Sequence, residues 1–169
     1  SGYQDGQVRS CARLLERDGG RGFTGHDQTR VGQAAFGGSD RPTAFRDLTV
    51  LSSGSILAVG DSTVAGTTSG LVVRYTSGLL LDTAFGGGDG FNTFGASPLD
   101  QNFNGMGLQQ DGRIVVAGAT ASRLFVDRLD AAGTSDPTFG IGWLTAFFGG
   151  DSDRANGVTL QSDGNIVVV

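Results

Sequence analysis

Acidic residues in two glycine-rich turns are the side chains best suited to chemistry in this chain of 169 residues. Asp89 lies in one turn, and Asp151 and Asp153 precede Asn156 in the other. Carboxylate and amide oxygens are the ligands that calcium takes, and two carboxyls about 5–10 Å apart serve as the acid and base of glycosidases. The alternate position after Asp151 and Asp153 is Ala155, so no complete calcium loop is present. We therefore predict solvated turns and assign no metal ligand or catalytic residue.

A second candidate is the run Gly60-Asp61-Ser62, which resembles the block that carries the nucleophile in a family of serine esterases. A serine nucleophile needs a histidine base. No Asp-x-x-His follows the run, and the one histidine, His26, lies far upstream. Gly60 also aligns with Gly118 of a later repeat, where Ala and Thr replace Asp and Ser. We therefore interpret the run as the end of a strand.

The remaining candidates for metal or ligand binding have less support. Cys11 and His26 supply two of the four ligands that a structural zinc site needs, and a single cysteine allows no internal disulfide. The glycine-rich turns lack the Lys-Ser/Thr pair of a phosphate-binding loop. Trp143 is expected to serve packing, although an exposed tryptophan would stack on a sugar. No metal or cofactor is therefore expected.

Composition and charge favour a turn-rich protein and argue against nucleic-acid binding. The chain contains 30 glycines but only 3 prolines, whereas glycine averages about 7% of residues. Every basic side chain is Arg, and all acids but one are Asp, which favours turns because it bonds its own backbone. A net charge of −5 does not provide the basic surface of a nucleic-acid binder. No apolar run is long enough to predict a membrane-spanning helix.

The elements that must position these residues are β-hairpins that recur along the chain. Leu108–Gly118 reads Leu-Gln-Gln-Asp-Gly-Arg-Ile-Val-Val-Ala-Gly, and Val50–Gly60 and Leu160–Val169 repeat its pattern. Each copy has an alternating strand, a turn at Asp-Gly or Ser-Gly, and an apolar β-branched run. Such a turn predicts a two-residue type I′ hairpin, which needs positive φ at both central residues. The turn glycines are spaced by 58 and then 52 residues (Gly54, Gly112 and Gly164).

A third strand and a set of phenylalanines extend each repeat. Leu71–Tyr75 and Phe125–Leu129 follow the hairpins as matching strands, and Cys11–Leu14 resembles them. Repeat units bury their faces against neighbouring units. The recurring phenylalanines are therefore predicted to pack between units and not to form a ligand cage. They are Phe36, Phe85, Phe94, Phe139 and Phe148.

The repeat length and the number of strands predict the architecture. About fifty residues with three or four short strands is the size of one propeller blade. We predict an all-β fold of propeller-type blades of antiparallel strands, with about three repeats that form an incomplete ring or part of a larger propeller. A short helix over Val8–Arg17 is the alternative for the start of the chain, and a β-solenoid or an open stack of sheets is the alternative to a propeller. The predicted units are a partial repeat over 1–35, repeat 1 over 36–93, repeat 2 over 94–147 and a truncated repeat 3 over 148–169.

With these motifs in place, the sequence resembles the delta-60 repeat family, β-propeller-like repeats found mostly in bacterial secreted and surface proteins. The resemblance covers roughly Phe36 to Val169 and departs at Ser53, where the family has Asp, and over 96–104, where a Gly-Gly-Asp-x-Asp run is lost. It implies a propeller and an extracellular or envelope location, and it carries over no catalytic residues. The segments that carry it are Leu81–Phe91, Leu108–Gly118, Gly149–Asn156 and Leu160–Val168.

The functional expectation follows from the absence of a catalytic set. We expect that the chain is not an enzyme. It is expected to be a noncatalytic binding or scaffold module that presents loops to a protein or glycan, as part of a bacterial envelope or secreted protein. The alternatives are a glycosidase or lyase that acts on polysaccharide through loop carboxylates, and a structural subunit of a larger envelope complex. Since four to eight blades close a ring, other copies of the chain or further repeats are expected partners. Nucleic acid is not expected to bind, and no segment is expected to span a membrane.

Overall fold

The computed structural model of the chain describes residues 43–64, 66–95, 100–121, 123–140, 143–146, 148–149 and 152–169. Within these ranges the regular elements are ten strands and one short 3₁₀ helix. The strands are β1 (Thr43–Val50), β2 (Ile56–Val64), β3 (Thr67–Tyr75), β4 (Phe91–Phe94), β5 (Gln101–Leu108), β6 (Ile114–Thr120), β7 (Arg123–Leu129), β8 (Trp143–Ala146), β9 (Val158–Leu160) and β10 (Ile166–Val168), with the 3₁₀ helix at Gly86–Gly88.

The strands form three antiparallel sheets in which chain neighbours are also neighbours in space. The first sheet has the order β1-β2-β3-β4, the second has the order β5-β6-β7-β8, and the third pairs β9 with β10. This meander is the topology of a propeller blade. The predicted all-β fold is confirmed, and the described sheets form an open array and not a closed ring. The partial repeat over 1–35 lies outside the described residues, as does the alternative helix over Val8–Arg17, and the repeat limits stay a prediction.

The predicted hairpins are confirmed, but the predicted turn type is wrong. Between β5 and β6 the N–H of Gln109 donates to the carbonyl of Arg113 at 2.8 Å, and the N–H of Gly112 donates back to Gln109 at 3.0 Å. Only Gly112 of the Asp111–Gly112 pair has a positive φ, 85°. The Asp111 carboxylate accepts the N–H of Arg113 at 3.0 Å, which holds a longer loop with one left-handed glycine. The same pair of backbone bonds closes the other two hairpins (Leu51–Ser55 and Gln161–Asn165).

The second sheet is stacked between the first and third sheets, so β6, one of its two inner strands, is buried on both faces. Residues 56–59 of β2 are likewise buried. In β6, Ile114 and Val116 face the first sheet, whereas Val115 and Ala117 face the third sheet. This explains why β2 and β6 read as continuous apolar runs and do not alternate with polar residues. The core between the first two sheets consists of Leu57, Val59, Val72, Phe85, Phe103, Met106, Ile114, Val116, Phe125 and Leu129.

Three of the five phenylalanines that were predicted to pack between repeats do so. Phe85 is fully buried in the core between the first two sheets. The ring of Phe94 lies 5.4 Å from that of Phe103 across the same interface. Phe139 packs against the core that joins the second and third sheets. Phe36 lies outside the described residues.

Phe148 does not pack as predicted, since 77% of it is exposed. Phe94 stands opposite Gly70 at the end of β4. In the second sheet the corresponding pair is Ala146 opposite Leu124. The predicted repeats start at Phe94 and Phe148 and so give these two residues equivalent positions. The pairing of β8 instead places Phe148 two residues beyond the position of Phe94, so the predicted equivalence is wrong.

Candidate functional site

The structure gives the Gly60-Asp61-Ser62 run a structural role. Asp61 is nearly buried and accepts a hydrogen bond from Arg46 Nε at 2.9 Å. Ser62 lies in β2, where it pairs with neighbours on both sides. The run therefore lies inside β2, which continues to Val64, and not at the end of a strand as predicted. His26 and Cys11, the candidates for a base or a zinc pair, lie outside the described residues.

The loop carboxylates do not form one cluster in the part of the chain that the structure describes. Asp89 is exposed after the 3₁₀ helix. Asp153 accepts the N–H of Phe148 at 2.6 Å, and the N–H of Asn156 donates to the carbonyl of Val169. Asp151 lies outside the described residues. Among those described, no three His, Cys, Asp or Glu side chains are placed to hold a metal ion.

A different site lies between the first two sheets, and the sequence motifs did not point to it. It is a pocket of about 530 Å³, within the 300–1,000 Å³ typical of ligand sites. It opens where the end of β4 meets the start of β5 and the turn between β6 and β7. We call it the inter-sheet pocket. Its side-chain lining includes Phe94, Gln101, Thr120, Arg123, Phe125, Asp127, Ser135 and Thr145.

Gln101 is the polar side chain in this pocket whose bonding is incomplete. It begins β5, opposite Thr120, and is 7% exposed. Its Nε2 atom is buried and has no hydrogen-bond partner among the described residues. A buried polar atom without a partner costs roughly 1–3 kcal/mol, and such atoms are rare in native structures. Among the described residues Tyr75 Oη and Gln109 Oε1 are also buried without a partner, and Gln101 is the member of this set that lines the pocket. It is therefore the group that a ligand in the pocket would satisfy.

Asp127 provides the second buried polar group of the pocket. It is 2% exposed, and its carboxylate accepts the Ser135 hydroxyl and the N–H of Arg128, both at 2.7 Å. Burial raises the pKa of Asp127, and the nearby charge of Asp136 acts in the same direction. In the first sheet the corresponding position of β3 is Val73. This replacement of a buried valine by aspartate was the signal in the sequence that could have revealed the site.

The opposing strand beside Asp127 begins with Trp143, which pairs with Asp127 across β7 and β8. The placement of the indole is not described, so the expectation that Trp143 serves packing stays a prediction. Thr145, two residues further along β8, lines the pocket and is exposed. The pocket wall on this side is therefore formed by a strand at the margin of the second sheet.

A network of charges beneath the pocket fixes the segment that carries Ser135. Asp136 accepts hydrogen bonds from the hydroxyl of Thr138 at 2.7 Å and from Arg128 Nε at 2.9 Å. The Arg128 guanidinium also lies 5.0 Å above the ring of Phe139. The Thr138 hydroxyl and N–H, with Arg128, lower the pKa of Asp136 to about 2. Arg74, Asp82 and Phe85 form the matching ion pair and ring contact in the first repeat.

Replacing this carboxylate should change the acid stability of the protein. Because the pKa of Asp136 falls from 3.8 to about 2 on folding, its contribution is full above pH 3.8 and is lost as the pH falls towards 2. Asp136→Asn should therefore be less stable than the parent at pH 6, with a difference that shrinks between pH 4 and 2. Urea unfolding at a series of pH values measures this. The exposed Asp89 supplies the control, Asp89→Asn, and a deficit in Asp136→Asn that is constant down to pH 2 would contradict the prediction.

The neighbouring carboxylate should show the opposite dependence. Because burial raises the pKa of Asp127 above 3.8, its contribution to stability is full below that value and is lost as the pH rises through the raised pKa. Asp127→Asn keeps an acceptor for the Ser135 hydroxyl or the N–H of Arg128 and removes the buried charge. The variant should be more stable than the parent at pH 7 and no more stable below pH 3.8. Melting temperatures across this range provide the measurement, and a variant that is less stable at pH 7 would refute the account.

The comparison with known families agrees with this architecture. Residues 51–85 and 109–139 match a family model described as "Domain of unknown function (DUF5122) beta-propeller". Each matched segment covers the second and third strands of a sheet and the Asp–Phe turn that follows them. No curated protein matches the sequence. Within the described residues, no helix is long and apolar enough to cross a membrane. In fold, the chain is therefore an array of β-propeller-type blades, similar over those two segments to this β-propeller family.

Proposed function

We propose that the chain is a noncatalytic binding and scaffold module whose stacked blades present the inter-sheet pocket to a ligand. The observation that supports this most is the unpartnered amide of Gln101, because a ligand would restore the hydrogen bond that the folded chain leaves unmade. The Ser135 hydroxyl donates to Asp127, but no histidine lies among the described residues to act as the base of a nucleophile. This favours binding over turnover.

The proposal includes the setting of the module. The resemblance of its motifs to the delta-60 repeats supports a bacterial envelope or secreted protein, in which further blades extend the array. Fractionation of the source cells with an antibody against this chain tests the location. Recovery in the envelope or the medium agrees with the proposal, and recovery in the cytosol contradicts it.

Binding and catalysis are separated by one pair of assays on the 169-residue chain. A glycan array and a peptide array report binding, and a panel of chromogenic glycosides reports hydrolysis. The proposal predicts binding on one array without release of the chromophore. Hydrolysis that is abolished by substitution of Asp89 or Asp153 would establish the glycosidase alternative and overturn the noncatalytic role.

A further inference from the structure

On the wall formed by the second sheet, the inter-sheet pocket has one polar group without a partner and one carboxylate with spare acceptor sites. The Nε2 atom of Gln101 is a donor without an acceptor. The carboxylate of Asp127 accepts two hydrogen bonds, and a carboxylate offers about four acceptor sites. A ligand that completes this wall must therefore accept from one group and donate to the other. Hydroxyl groups do both, because each carries one donor hydrogen and two acceptor lone pairs.

Charge narrows the class of ligand further. Arg123 also lines the pocket, but it already interacts with another group of the chain. An anion near Asp127 would meet its carboxylate and the charge of Asp136 close behind it, and like charges brought together cost several kcal/mol in interfaces. An ammonium group would suit Asp127, but it has no lone pair to accept from Gln101. A neutral ligand with several hydroxyls satisfies both groups.

The pocket also contains an aromatic ring from each sheet. Phe94 comes from β4, and Phe125 comes from β7, the strand that carries Asp127. Both rings pack near Phe103, at 5.4 Å and 6.2 Å between centroids. Aromatic rings of this kind provide a rigid apolar surface. A sugar ring presents an apolar C–H face together with hydroxyls at its edge, which matches a pocket that has both apolar rings and polar groups. A peptide would instead be recognised through main-chain bonds along a strand edge, whereas the groups that need partners here are side chains.

We propose that the inter-sheet pocket binds one uncharged sugar ring of a glycan. Phe94 and Phe125 contact the apolar face of the ring, Gln101 donates to one hydroxyl, and Asp127 accepts from another. The inference rests on the proposed binding function and specifies its ligand class. Asp127 and Gln101 are the specificity-determining residues in this account.

The test uses the methyl glycosides of glucose, galactose, mannose and N-acetylglucosamine as probes, with saturation-transfer NMR and calorimetry as readouts. At least one of them should bind with a dissociation constant on the order of millimolar, since a single ring is a small ligand. The methyl glycoside of glucuronic acid, which is an anion, should bind at least about tenfold more weakly than its glucose counterpart.

Two substitutions connect binding to the pocket. Gln101→Met keeps the approximate volume and removes the unpartnered amide, so it should weaken sugar binding about tenfold while raising the melting temperature of the free protein. A merely structural glutamine would not produce this pair of opposite changes. Thr145→Tyr fills the pocket from an exposed position and should abolish binding without unfolding the chain. Gln110→Met, in the exposed turn after β5, is the control and should change neither quantity.

The outcomes separate the ligand class from the general function. Sugar binding that survives both Gln101→Met and Thr145→Tyr would overturn the pocket as the sugar site while leaving the module a binding protein. Binding on the peptide array with no glycoside bound would overturn the sugar ligand alone. Binding to neither array and to none of the glycosides would overturn both proposals.

Discussion

Phe85→Ala is expected to lower the free energy of unfolding by about 3–5 kcal/mol, the range for a large aromatic residue removed from a core. Phe85 is fully buried between the first two sheets. Its ring lies so close to Gly133 that a Cβ atom there would come within 2.3 Å of it, and the Arg74 guanidinium lies 4.7 Å above the ring. Alanine would therefore leave a cavity between the two sheets. The sheets cannot close over it freely, because backbone contacts hold them in place, including the hydrogen bond from Gly86 N–H to the Ala132 carbonyl.

Urea denaturation measures this loss, and Phe148→Ala is the matched control. Phe148 is also a phenylalanine before glycine, but it is mostly exposed, so its replacement should change the free energy of unfolding by less than about 0.5 kcal/mol. Equal losses for the two variants would show that the interface between the sheets does not depend on Phe85 as described.

Gly118→Ala is expected to cost about 3 kcal/mol or more, because the methyl group would meet backbone and not a movable side chain. A Cβ atom at Gly118 would lie 2.0 Å from the carbonyl oxygen of Asn102. The close approach is produced by a β-bulge in β5 between Phe103 and Gly105. The carbonyl of Gly118 also accepts the N–H of Ala155, so any displacement of this strand would disturb the contact with the third sheet.

The first sheet also has a glycine opposite a β-bulge, and it supplies an independent test. Gly60 lies opposite the bulge of β1, and a Cβ atom there would lie 1.8 Å from the Ala44 carbonyl oxygen. Gly60→Ala should therefore be as destabilising as Gly118→Ala. Gly78→Ala is the control, because the nearest atom to its Cβ would be Thr76 Oγ1 at 3.7 Å. If all three variants unfold at the same urea concentration as the parent, the two bulges are not where the structure places them.

The fold was largely predictable because its determinants are local and repeated. β2 and β6 have matching β-branched runs, and Gly60 and Gly118 follow their hairpin turns at the same distance. The same order of strands is therefore expected in each repeat. The turn type was not predictable in this way. It depends on the Asp111 carboxylate capturing the N–H of Arg113, and a two-residue turn and a longer loop share the same Asp-Gly pair. The position of Phe148 was missed because β8 pairs two residues earlier than the equivalence of Phe148 with Phe94 implies.

The candidate site was less predictable, because it arises where the repeats differ and not where they agree. Gln101 lies within 96–104, the stretch in which the repeat pattern is lost. The repeat pattern therefore predicts no role for it. Asp127 interrupts a strand whose counterpart has valine, and that difference was readable from the chain. The meeting of Gln101 with Asp127 in one pocket depends on how two sheets stack, which sequence spacing does not specify.

The central claim is that successive repeats share one core across the faces of their sheets. A nuclear Overhauser experiment on the ring protons of Phe103 tests it most directly, because Gly70 of the first sheet lies against this ring. The account predicts cross-peaks from the Phe103 ring to the α protons of Gly70 as well as to Phe125 of its own sheet. Cross-peaks confined to residues of the second sheet would show that the two sheets do not pack together in this way.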